Sequence, residues 1–191
     1  MTRYLAASLT LLVAAIIALG GAAASGAKGP PNPHKKAATY EWLAGANSSK
    51  PGGFQLCNLA ATACPDIARA ANGDTVRITG TGTLGVHPKS VSGSGTYNST
   101  NTRVGSGTWT AVKLLSFKAY GTNDAVTPGA TAGKALIRVQ LSNGKRGVLR
   151  ITCHLPGTTV PGGFHEGVRL AVQGGPNFNK EAGGFTLFIR Q

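Results

Sequence analysis

The chain predicts an all-β fold, an antiparallel small barrel or β-sandwich, reached after an export signal and a short flexible tether. Three observations carry this. Apolar and polar residues alternate with period two over six separate stretches between Asp74 and Ile189. Turns rich in Gly, Pro and Asn separate those stretches. Beyond residue 24 no long helical period appears.

Taken in order, residues 1–24 read as a secretory signal peptide. Thr2 and Arg3 make a short basic start, Leu5 to Leu19 is apolar, and Ala22–Ala23–Ala24 supplies an A-x-A cleavage pattern. The apolar run is short for a bilayer span of about 20 residues. Cleavage is therefore expected, with no transmembrane anchor in the mature chain and a secreted, extracellular or periplasmic location. Residues 25–38 read as a flexible linker, because SGAKGPPNPHKK over Ser25–Lys36 has no apolar period. Residues 39–191 remain as one β domain, and the 167 residues after the signal suit a single core.

Tyr40–Leu43 and Phe54–Cys57 are short strand candidates. Cys57 and Cys64 flank a loop, and in an oxidising compartment their bridge would stabilise by roughly 2.5 kcal/mol. Bridges from either of them to Cys153 stay open on sequence alone. Pro65–Ala71 is the best helix candidate, stopped by Asn72–Gly73. In Asp74–His87, Val76, Ile78, Leu84 and Val86 share one face. Trp109, Ala111, Leu115 and Phe117 do so in Gly107–Ala119, and Ala135, Ile137, Val139 and Leu141 in the next strand. Leu149, Ile151, Cys153 and Leu155 follow, then Val168–Val172 and Phe185–Ile189.

Two details go beyond strand assignment. A three-residue loop at Ser142–Asn143–Gly144, with Gly144 left-handed, sets Ile137 opposite Leu149 and Ala135 opposite Ile151, so the apolar faces agree. A two-residue turn would set core residues against polar ones. A G-[ST]-G-T-bulky string also recurs at Gly80, Gly93 and Gly105, each glycine sharing the face of the bulky residue. Glycine there suits a tightly curled barrel with Leu84, Tyr97 and Trp109 inside. A glycine-floored ligand groove is the functional alternative.

The charge is lopsided: 19 Lys+Arg stand against 6 Asp+Glu, and only Arg3 lies in the signal. Most cations therefore lack an acidic partner and await water or an anion. The hairpin register projects Lys134, Arg138, Arg146, Arg150 and His154 together, the densest basic patch derivable and the expected binding face. Its expected partners are an anionic polysaccharide, an envelope polymer or extracellular nucleic acid.

Catalytic signatures are sparse. No G-x-S-x-G elbow is present, and Gly129–Ala135 resembles a phosphate loop with the wrong spacing and no Ser/Thr for magnesium. No paired metal ligands occur, so no metal and no cofactor are expected. His165 and Glu166, with His87, are the candidates for a catalytic group, on the condition that they converge at a barrel mouth. In a strand, neighbours such as His165 and Glu166 point apart, and Glu166 would then neutralise Arg169 or Arg150. Three function classes follow: a non-catalytic binding domain, an enzyme acting on a small ligand or glycan in a mouth pocket, and an extracellular assembly subunit. The first is preferred.

The strings NGDT (Asn72–Thr75), GTGTL, HPKS (His87–Ser90), GTWTAVKLLSF (Gly107–Phe117), HEGVRLAV (His165–Val172) and FNKE (Phe178–Glu181) resemble a group of small secreted hypothetical proteins. The likeness covers most of Asp74–Arg190. It implies an exported, mostly β domain and carries no catalytic residue.

Overall fold

A computed structural model describes residues 37–162 and 164–191; the expected signal peptide and the linker through Lys36 lie outside the described residues. The strands are β1 (Thr39–Ala44), β2 (Asp66–Arg69), β3 (Thr75–Gly85), β4 (Ser90–Ser99), β5 (Ser106–Thr122) and β6 (Ala130–Leu141). They continue with β7 (Arg146–Cys153), β8 (Gly167–Val172), β9 (Asn177–Phe178), β10 (Lys180–Gly183) and β11 (Thr186–Arg190). Every pairing is antiparallel, and all strands belong to one sheet.

The sheet closes on itself. β1 pairs with β3, β3 with β4, β4 with β5, β5 with β6, β6 with β11, and β11 returns to β1. Closure removes the edges that an open sheet would leave bare. β2 continues the line of β1 along β3, pairing Asp66 with Ile78 where β1 pairs Ala44 with Gly80. β7, β8 and β9 extend the sheet from β6, and β10 lies along β2.

The glycine repeat explains how so tight a ring is filled. Added Cβ atoms at Gly82 and Gly93 would lie 2.6 and 2.5 Å from Cζ2 of Trp42, and one at Gly80 would lie 2.4 Å from Cζ2 of Trp109. The missing side chains make the hollow that the two indoles occupy, and the rings stack at 5.7 Å. Tyr40, Phe117 and Phe188 pack beside them, with Phe117 ring centroids 4.7 and 5.0 Å from the other two. Leu84, Tyr97 and Trp109 are all buried, as the repeat requires.

The β6–β7 hairpin has the three-residue loop. Gly144 sits at φ +84°, Ile137 faces Leu149, and Ala135 faces Ile151. Three expectations are corrected. Pro65–Ala71 is not a helix: Asp66–Arg69 forms β2, since so short a segment gains little from helix propagation while β3 offers a full ladder. Phe54–Cys57 is not a strand; its end enters a 3-10 turn at Leu56–Asn58. In β5 Leu114 is buried in place of Leu115, because register shifts between Ala111 and Lys113 and between Leu114 and Ser116 each add a residue and reverse the alternation.

Cys57 and Cys64 form a disulfide, and Cys153 is a buried free thiol. Among the described residues no helix is long and apolar enough to cross a membrane.

Candidate functional site

Directly paired residues of antiparallel strands share a face. Register therefore assembles one band of cations on the outside of the sheet. Lys118 faces Lys134 and Lys113 faces Arg138 across β5 and β6. Arg146 stands opposite Gln140, and Arg150 opposite Arg169 of β8. Lys113, Lys118 and Arg169 escaped the sequence reading, because placing them needs the β5 bulges and the β7–β8 pairing.

Glu181 of β10 divides the band. Its Oε1 accepts from Arg169 Nε at 2.7 Å and from Arg150 Nη2. Burial pushes the Glu181 carboxyl up, but the hydrogen bonds from Arg169 and Arg150 outweigh it and hold the group below the ordinary range. Arg150 is therefore not the free cation expected of it; its side chain is 17% exposed and neutralised. Glu181, and not Glu166, takes that place. Lys134 lies 3.8 Å above the centre of the Phe164 ring, and Arg150 lies 5.5 Å from it. Burial, then Arg150 and Lys118, depress the Lys134 ammonium below its usual range.

The other acids are engaged elsewhere. Glu41 meets Lys50 at 3.3 Å, Asp74 accepts from Asn72 and Asn101, and Asp124 accepts from the Gly129 N–H. Lys113, Lys118, Arg138 and Arg146 are exposed and form no ion pair among the described residues. Arg138 and Arg146 rim an open groove of about 480 Å³ whose lining includes Gly147, Val148 and Ala171, all too small to fill it.

No family model matches this chain, and neither a curated protein nor a solved structure is similar to it. The site is thus read from its own geometry.

The catalytic candidates do not gather. His165 is exposed, whereas Glu166 turns inward. Glu166 Oε2 accepts from the His154 N–H at 2.5 Å, and Oε1 from the Thr186 N–H at 2.7 Å. Burial raises its pKa to about 7 against those hydrogen bonds. Asp66 is the acid coupled to it. His87 lies in the turn after β3, whose far end at Gly85 is seven residues beyond the Ile78 that pairs with Asp66, or about 23 Å along the strand. Among the described residues no group of His, Cys, Asp or Glu could hold a metal ion.

Asp66 is fully buried and neither carboxyl oxygen has a hydrogen-bond partner. An added Cβ at Gly184 would sit 2.3 Å from its Oδ1, so glycine makes room for it. Burial first, and the Glu166 charge second, raise its pKa well above the carboxylate range. No local pattern in the chain marks Asp66 as distinct. His154 also departs from the expected patch: it is half-buried in the wall of a separate apolar pocket, with Nε2 buried and unpartnered.

Proposed function

We propose that this is an exported, non-catalytic binding domain that holds an anionic polymer across the outer face of β5, β6 and β7. The observation supporting it is the row of exposed cations, Lys113, Lys118, Arg138 and Arg146, none of them in an ion pair among the described residues, with a groove between the two arginines. Cations on adjacent strands stand about 5 Å apart, and those four residues apart on β6 about 13 Å. Such a spacing reads repeated sulfate, phosphate or carboxylate charge and no base or sugar identity. The residues carried forward from the sequence are Lys134, Arg138 and Arg146.

The test is retention on heparin and binding to single-stranded DNA over a range of salt. Engagement of four cations gives a slope of log K against log salt near −3, on the basis of about 0.7 per neutralised phosphate. Arg138→Glu with Arg146→Glu should weaken binding at least tenfold and flatten that slope. Unchanged affinity and slope in the double variant would overturn the reading.

A further inference from the structure

The loop between β1 and β2, tied by the Cys57–Cys64 disulfide, covers a second pocket of about 530 Å³ against β11 and the end of β7. That volume lies within the range of small-molecule sites, about 300–1,000 Å³. Only three large apolar side chains among the described residues are exposed, and two of them, Leu59 at 54% and Phe185 at 37%, line this pocket. Exposed apolar surface concentrated at one cavity marks a place that an occupant would cover.

The polar groups of the pocket narrow the occupant. Glu166 accepts the Thr186 N–H on Oε1 and the His154 N–H on Oε2, while the single Thr186 hydroxyl proton goes to the Thr152 carbonyl at 2.7 Å. A carboxylate offers about four acceptor positions, so Oε2 keeps one. An anionic headgroup would leave water for a lining that holds no Lys or Arg. An ammonium would leave water for an apolar wall beside a carboxyl that burial holds toward its neutral form, at a cost of several kcal/mol. A neutral donor meets neither objection.

We infer that this pocket binds a neutral, largely apolar molecule carrying one O–H or N–H, which donates to Glu166. The site shares no lining residue with the groove at Arg138 and Arg146, so it stands independently of polymer binding.

N-phenyl-1-naphthylamine is a suitable probe, being neutral and apolar with a single N–H. Fluorescence titration of the chain should show saturable one-to-one binding with a blue-shifted, enhanced emission. Leu59→Asp and Phe185→Asp should each weaken it at least tenfold. Val112→Asp, the same change at the third exposed apolar residue, on β5, should leave affinity within twofold. 1-Benzylnaphthalene, of similar size but with no donor, should bind severalfold more weakly than this probe. The inference is overturned by absence of saturable binding, by equal losses at Leu59 and Val112, or by undiminished binding in both rim variants. Far-UV circular dichroism of each variant shows that the fold persists, and the two rim positions provide independent readings should one fail to fold.

Discussion

The buried carboxyl of Glu166 makes stability depend on pH in a direction opposite to that of most surface acids. Folded, it keeps its proton up to about pH 7; its ordinary value is 4.5. Between those limits the folded state binds more protons than the unfolded one, so stability falls as pH rises. Below 4.5 both states are protonated and the penalty is absent; above 7 it is fully expressed. At about 1.36 kcal/mol per pH unit, this amounts to roughly 3 kcal/mol. Glu166→Gln removes the ionisation while keeping the shape. Its amide satisfies only one of the two N–H groups that meet Glu166, but that cost does not change with pH and cancels in a difference between two pH values. Guanidinium unfolding at pH 4.5 and pH 8, at constant ionic strength, measures it. The native chain should lose roughly 3 kcal/mol more than the variant over that interval. Asp66 adds in the same sense, and its coupling to Glu166 enlarges the gap between native and variant. Equal losses in the two proteins, or a native chain more stable at pH 8, would refute the reasoning.

Other outcomes follow from the packing. Gly82→Ala should destabilise by about 3 kcal/mol or more in a thermal melt, because its Cβ would lie 2.1 Å from the Ser92 carbonyl oxygen, a backbone atom that cannot swing aside. Gly73→Ala meets nothing within 4 Å, so only its positive φ counts and the loss should be nearer 1 kcal/mol. Replacing Cys57 and Cys64 by Ser should cost about 2.5 kcal/mol from the freed loop entropy. Cys153, fully buried, should resist thiol reagents in the native chain and react at once in denaturant.

How far the sequence revealed these features depends on the distance over which each is encoded. Alternation is local, so β3, β6, β7, β8 and β11 were legible, and the choice between two hairpin registers needed only residues 135–151. The glycine string was legible because its spacing repeats. Leu115 was misassigned because a bulge is one residue too many on one strand, visible only against its partner. β2 lacked enough residues to show a period at all. At the candidate site, Arg138 and Arg146 came from the hairpin, while the pairing of Arg150 with Glu181 spans 31 residues and joins strands with no shared turn. Asp66 and His154 gained their character from what surrounds them, which no local pattern carries.

The chain has two tryptophans, one on β1 and one on β5, brought face to face only because the ring closes. Their indoles lie close enough for excited states to mix, so far-ultraviolet circular dichroism should carry an exciton couplet that an opened ring would lose. Closure of the fold therefore has its own optical signature, requiring no label and no ligand.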